Sequence, residues 1–326
     1  MTDFAARARA AMQEQGLSVR EAARRLNYDH AFLSRVLNGK QRPSAQLAQG
    51  LDDLVGAEGA LTTLAATLTS DDRERIARSV AAPSRIDAAT VHALADVLAA
   101  QRRLEDAVGP AVMLPATVAQ LDTVAALARD ARGPHRQAMV SVAAEWTQFT
   151  GWLHAALRHD EEALSLFARA EELADEAEDA TMAATAVSFR GYVAWRRGRH
   201  AAMLRAAHAA LATPGAHIAQ NAYDTLQAAQ AYAALGNRGE AARYLDNAGS
   251  LIDAVKAERE TARPWHYYYT EPFFHLQIGL AHLKLGDNQE AADHLAAGLT
   301  GLPEDQRAAE WTGEYRQALA EAQSAT

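Results

Sequence analysis

Residues 17–44, LSVREAARRLNYDHAFLSRVLNGKQRPS, bring together side chains suited to touching a nucleic acid. His30, Ala31, Ser34 and Arg35 fall on one side of a helix, while Phe32, Leu33, Val36 and Leu37 fall on the other and supply core contacts. Lys40 and Arg42 follow in a short loop, where two cations are well placed for phosphates. Polar groups on a short helix, then cations in the next loop, form the layout of a helix-turn-helix DNA reader.

The elements that must position these groups carry their own signals. Ser18-Val19-Arg20-Glu21 fits a capping box, with Glu21 reaching back to Ser18, and predicts a helix start. Ala22, Ala23 and Leu26 give that helix an apolar face, and the small Ala23 lets a second helix cross closely. Asn27 falls where the chain must turn, and Asn tolerates left-handed backbone better than other non-glycine residues. Asp29 can cap the next helix, and Asn38-Gly39 can end it. Pro43-Ser44 opens a fourth helix carrying Leu47, Leu51 and Leu54, with Gly50 in its middle as either a kink or a close contact.

This stretch resembles the phage-repressor (Xre/Cro-type) helix-turn-helix family. The resemblance rests on Glu21-Ala22-Ala23, Leu33-Ser34-Arg35-Val36, Asn38-Gly39-Lys40 and Pro43-Ser44. It implies a five-helix lambda-repressor-like DNA-binding domain over residues 1–68. In such a domain His30, Ala31, Ser34 and Arg35 would face the bases, and Ser18, Asn38, Lys40 and Arg42 would contact the backbone. Asn27 stands where the family usually has Gly, and His30 where glutamine is frequent. Arg35 is the candidate for a guanine, because a guanidinium can bond O6 and N7 together. A small helical domain that binds protein is the competing reading.

Composition bounds the rest. The chain has 326 residues and no cysteine, which excludes disulfides, thiolate zinc sites and cysteine nucleophiles. Nothing near Met1-Thr2-Asp3 reads as a signal peptide, and no apolar run approaches the roughly 18 residues that span a bilayer, so a cytoplasmic chain with no membrane partner is expected. Residues 1–45 hold eight Arg/Lys against four Asp/Glu, a net of +4, which leaves −13 of the total −9 on the remainder. A basic head on an acidic body confines contact with DNA to one end.

The body, residues 86–326, reads as helix throughout and so makes the chain all-α, with polar residues 69–85 as a linker. Aligning Gly151, Gly191, Ala229 and Gly279 places Ala163, Met203, Ala241 and Ala291 twelve residues on. Phe167, Ala207, Leu245 and Leu295 follow at sixteen, and Ala170, Ala210, Ala248 and Gly298 at nineteen. This pattern resembles the tetratricopeptide repeat, stretched to spacings of 40, 38 and 50 residues against a usual period of about 34. Helices near 86–107 and 116–131 would form a further degenerate pair, punctuated by Gly109-Pro110, and a helix near 304–323 a cap or dimer element.

A tetratricopeptide-like superhelix has a concave face lined mainly by the first helix of each pair. The register predicts that Glu145, Gln148 and Trp152 line it, then Ser188, Tyr192, Trp195 and Arg196, with Arg196 the main cation. Tyr223, Gln227, Gln230, Phe273 and Gln277 complete the set. Aromatics give contact area and amides bond a peptide or small polar ligand, although Trp152, Trp195 and Phe273 could equally pack between repeats. Six aromatics also fall within residues 265–274 of a chain that is 6% aromatic. They suit a groove wall or lid, packing of an insertion onto the repeats, or a dimer contact, with the first favoured.

No phosphate loop, nucleophile elbow or metal-ligand spacing stands out, so no catalytic residue, cofactor or metal is expected and the chain reads as a non-enzyme. The two-part layout resembles the peptide-receptor regulators of Gram-positive bacteria. That implies a homodimer on double-stranded DNA with an inverted-repeat operator, responding to a peptide or small-molecule effector. A DNA-binding adaptor whose repeats recruit a protein is the alternative.

Overall fold

Left-handed residues, mostly glycine, set many of the helix ends. The structure, a computed structural model, describes residues 3–41, 43–57, 59–62, 86–257 and 267–325. Among these residues there are sixteen helices and no strand, so the chain is all-α. It divides into two compact units, Met1–Arg78 and Ser79–Thr326. The expected linker at 69–85 lies outside the described residues.

The first unit holds α1 (Asp3–Glu14), α2 (Val19–Arg25), α3 (His30–Leu37) and α4 (Ala45–Val55), with 60–62 again helical. Each of the last three helices starts on a side-chain cap. Ser18 Oγ accepts from Glu21 N at 3.2 Å, Asp29 from Phe32 N at 2.9 Å and Ser44 from Leu47 N at 3.1 Å. The reciprocal half of the expected capping box gives way to ion pairs: Glu21 takes Arg24 at 2.6 Å and Arg25 at 3.1 Å, one turn along its own helix. Asn27 adopts φ +56° between α2 and α3, and Gly39 φ +68° after α3. Phe4, Met12, Leu33, Leu37, Leu47 and Leu51 meet in one apolar core. A Cβ at Gly50 would lie 3.0 Å from Leu26, so this glycine serves a close helix crossing. Asp52 is buried and accepts from the N–H groups of Gly59, Leu61 and Thr62 at 2.7–3.0 Å, fixing the segment after α4.

The second unit stacks antiparallel helices. These are α5 (Ala88–Val108), α6 (Pro110–Asp130), α7 (Arg136–Ala156), α8 (Asp160–Glu176), α9 (Ala180–Arg196) and α10 (His200–Leu211). After them come α11 (Ile218–Ala234), α12 (Arg238–Ala257), α13 (Glu271–Leu285), α14 (Asn288–Gly301), α15 (Glu304–Arg307) and α16 (Thr312–Ser324). The periodic small residues sit where partner helices touch. A Cβ on Gly151 would come within 2.7 Å of Phe167, and one on Gly279 within 2.6 Å of Leu295, in each case the residue sixteen further on. The residues twelve on, Ala163, Met203, Ala241 and Ala291, are all buried.

Three features depart from expectation. α6 begins at Pro110, not 116: Pro110 suits the first helical position, and Pro115 lies within the first turns. The C-terminal helix is two, α15 and α16, separated by Ala308–Trp311. By length and composition α6 is long and apolar enough to cross a bilayer, the one such helix among the described residues. Gln120 and Asp122 interrupt it without outweighing the apolar residues around them, which is why a search for unbroken apolar runs passes over it. Met113, Val124 and Leu127 of this helix are buried within the unit.

Candidate DNA-reading face and enclosed cavity

In the first unit, α3 turns Leu33, Val36 and Leu37 into the core and leaves His30, Ala31 and Arg35 exposed, with Ser34 half-buried. Arg35 Nε donates to Gln41 Oε1 at 3.0 Å, which orients the guanidinium from its base. Asn38 Nδ2 donates to Ser34 O at 2.8 Å and lies 3.3 Å from Ser34 Oγ, tying the end of α3 to its middle. Ser18, Asn38 and Lys40 are exposed, and Arg42 lies outside the described residues. Seven of the eight sequence-predicted DNA contacts are therefore placed. They occupy the outward side of α3, the cap of α2 and the loop after α3.

In the second unit, the first helices of successive pairs face a common cavity with about 930 Å³ of non-atom space, part of it open to solvent. α7 contributes Gln148, Phe149 and Trp152; α9 contributes Phe189, Tyr192 and Trp195. α11 adds Tyr223, Gln227 and Gln230, and α13 adds Phe273, Gln277 and Leu280. Nine of the twelve register-predicted residues thus line it. The Trp152 ring lies 5.6 Å from that of Tyr192, which lies 5.8 Å from that of Trp195, forming an aromatic wall across two repeats. Gln230 Nε2 donates to Gln277 Oε1 at 3.0 Å, and Gln277 Nε2 donates to Tyr315 Oη at 2.6 Å, so part of the amide set holds the wall together.

Three predicted residues sit elsewhere. Arg196 is not the cavity's cation: it bonds Asp160 and the Ala155 carbonyl and lies over the Tyr192 ring at 5.0 Å, joining α9 to the preceding pair. Ser188 is buried between α9 and α11, where it donates to Asp224 and accepts from Gln227 Nε2 at 2.8 Å. Glu145 is buried, and its carbonyl accepts from Arg102 at 3.2 Å.

The groove is closed by parts of the chain that the repeat register does not reach. Arg102, Glu105 and Asp106 of α5 form one side, and Trp311, Glu314 and Tyr315 at the start of α16 another. Asp106 clamps the closure, accepting from Tyr267 Oη at 2.8 Å and Trp311 Nε1 at 3.0 Å. Tyr267 and Tyr268 of the aromatic stretch form a wall, while Tyr269 donates to Gln220 Oε1 at 2.7 Å behind it. Trp265 and His266 lie outside the described residues.

The cavity's electrostatics follow from burial. Glu105 is pushed up to about 7 by desolvation and by Asp106, against the N–H of Trp152 and the charge of Arg102. Glu314 is also raised, mainly by burial, although Arg158 and the Tyr192 hydroxyl favour its ionised form. Tyr192, against Glu314, and Tyr267, against Asp106, are held well above the ordinary phenol range by burial and negative charge. Arg102 is committed to Gln148 Oε1 at 3.1 Å and lies over Phe149 at 5.0 Å. The only signal for these α5 residues in the sequence is their i, i+3, i+4 spacing, the same pattern a solvated helix face shows.

Residues 3–65 match the helix-turn-helix domain family, a stretch within the first unit. No curated protein and no solved structure matches the chain. The N-terminal unit is a helix-turn-helix domain, the kind of domain with which regulators bind DNA.

Proposed function

We propose that this chain is a sequence-specific transcription regulator of the Xre type whose tetratricopeptide-like unit dimerises and senses a small molecule or short peptide. The observation that carries the reading is α3: an exposed His30-Ala31-Arg35 face on a short capped helix, inside the region that matches a helix-turn-helix domain. In this reading the face enters the major groove of double-stranded DNA. Arg35 bonds a guanine, and Ser18, Asn38, Lys40 and Arg42 hold phosphates. Ser34 sits at the edge of the reading face.

A second copy is required by the geometry of an inverted-repeat operator, which needs two reading helices about 34 Å apart. Leu104 and Val108, one turn apart at the end of α5, and Val112 at the start of α6 are exposed and supply an apolar surface for it. The cavity favours a sensor over an adaptor, since α5, Tyr267 and α16 narrow the groove that a protein partner would fill. A ligand that prefers one closure of this unit would shift the population of head spacings. No catalytic role is assigned, and the site of action is the cytoplasm.

Genome-wide mapping of bound DNA, with tagged wild type beside Arg35→Ala, tests the reading. The expected result is an inverted-repeat motif that disappears in the variant while the variant's melting is unchanged. A motif that persists in Arg35→Ala removes the assignment of α3. Absence of any motif in wild type overturns the regulator.

A further inference from the structure

The cavity has an unusual balance of charge for its size. Among the described residues, three carboxylates line it, Glu105, Asp106 and Glu314, against the guanidinium of Arg102. The other walls are dominated by aromatic faces, with Trp152, Tyr192 and Trp195 half-buried and so open to a ligand. Buried carboxylates are normally paired, because desolvating an isolated charge is costly. Asp106 is held by a phenol and an indole N–H, and Arg102 already serves Gln148 and the Glu145 carbonyl. Glu105 accepts a long hydrogen bond from Trp152 Nε1, at 3.3 Å. Glu314 accepts from the Tyr192 hydroxyl at 3.2 Å, and Arg158 reaches it at 3.4 Å from a side chain that is 63% exposed, so its one ion pair among the described residues is weakened by screening.

One amide anchors the inner wall of the cavity. Gln227 lines the cavity and is 1% exposed. Its Nε2 donates to Ser188 Oγ at 2.8 Å and lies 3.3 Å from the Ser188 carbonyl, which fixes which end of the amide is nitrogen. Its Oε1 then has no donor among the described residues. Aromatic faces beside carboxylates are the surroundings in which an ammonium gains from ring quadrupoles and from full charges at once.

Resting on the sensing role proposed above, we infer that the ligand of this cavity is a singly charged organic amine, its ammonium against Glu105 and Glu314 and its apolar body against the Trp152–Tyr192–Trp195 wall. The raised proton affinity of Glu105 fits a carboxylate awaiting a cation. The charged groups acting on it are Asp106 and Glu310, which oppose its ionisation, and Arg102, which favours it. An ammonium would add to the Arg102 side and draw the proton off. An anion would meet three carboxylates and is disfavoured. A neutral body of the same shape gains the wall without the charge.

The test uses the full-length protein and three probes of one shape: phenethylamine, phenethyl alcohol and phenylacetate. Trp152, Trp195 and Trp311 line the cavity, so quenching of tryptophan fluorescence reports occupancy, with calorimetry as a check. The amine should bind at least about tenfold more tightly than either comparator, and Glu105→Gln should remove about tenfold of that preference. Amine affinity should also fall severalfold between about pH 8.5 and about pH 5.5 in wild type, and less in Glu105→Gln, as the carboxyl takes up its proton. If the alcohol or phenylacetate binds as well as the amine, and Trp152→Ala abolishes that binding, the amine inference fails while the sensing role stands. If none of the three binds at millimolar concentration, the amine inference fails, while the sensing role stands on its own tests and DNA mapping remains an independent test of the head.

Discussion

Asp224 offers a measurement of how strongly burial dominates the interior of the second unit. The carboxyl lies on α11, fully buried, with Ser188 Oγ donating to Oδ1 and Gln220 Nε2 donating to Oδ2 at 2.9 Å. Gln220 is itself fixed by Thr185 and Tyr269, both donating to its Oε1 at 2.7 Å. Desolvation outweighs the two hydrogen bonds and raises the group from 3.8 to about 7. The folded chain therefore holds a proton that the unfolded chain has already released. This contribution to stability is fully present below the unfolded value near 3.8 and is lost as pH rises through about 7. A rise of that size corresponds to about 4 kcal/mol between the two ends of the window. Asp224→Asn removes the titration, so the difference in stability, wild type minus variant, should fall by about that amount between about pH 4 and about pH 8. Urea unfolding followed by tryptophan fluorescence is the assay. Trp146, Trp152, Trp195, Trp265 and Trp311 all lie in the second unit, so the head is silent. His154, His200 and His294 are lowered by burial and pull the other way, losing stability as pH falls below 6.5. They are present in both proteins and cancel in the difference. Any mismatch in the amide's own hydrogen bonds adds a constant offset, not a slope. A difference that stays flat across the window would mean that Asp224 is ionised in the fold, with Ser188 and Gln220 outweighing burial.

Substitutions at three further positions test the packing and the turn. Gly298→Ala should destabilise the second unit by about 1–3 kcal/mol, because the new Cβ would stand 2.6 Å from Leu276 and 2.8 Å from the Pro272 carbonyl. Gly313→Ala, where a Cβ meets nothing within 4 Å, should be neutral or slightly stabilising in the same unfolding assay. Asn27→Gly should retain DNA binding and leave the head's melting temperature unchanged or higher, because φ +56° strains any side chain, whereas Asn27→Val should lower it. Equal melting of the two Asn27 variants would show that this turn does not hold α2 against α3.

What was legible in the sequence was whatever acts over a few residues or at a fixed period. Ser18, Asp29 and Ser44 announce helix starts because a cap bonds an amide three residues ahead, whatever the rest of the fold does. Gly151 and Gly279 announce close helix pairs because the partner lies sixteen residues on in both. The same register carries nine concave residues into the cavity, since one helix face repeats from pair to pair. It misassigns Arg196 because a guanidinium at a concave position looks the same in sequence whether it faces a ligand or Asp160 of the preceding pair.

The closure was illegible for a different reason. Asp106 meets Trp311 across 205 residues of chain, and neither belongs to the repeat. No period links them, and the charges of α5 carry the same spacing as a solvated face. Yet these parts narrow the concave surface into a partly open cavity and bring Glu105 and Glu314 to it. Repetition supplies the aromatic wall, and the departures from repetition supply the charge. On the proposed sensing role, specificity for a ligand class should therefore change first with substitutions on α5 and α16, while substitutions in the aromatic wall change affinity for every ligand alike.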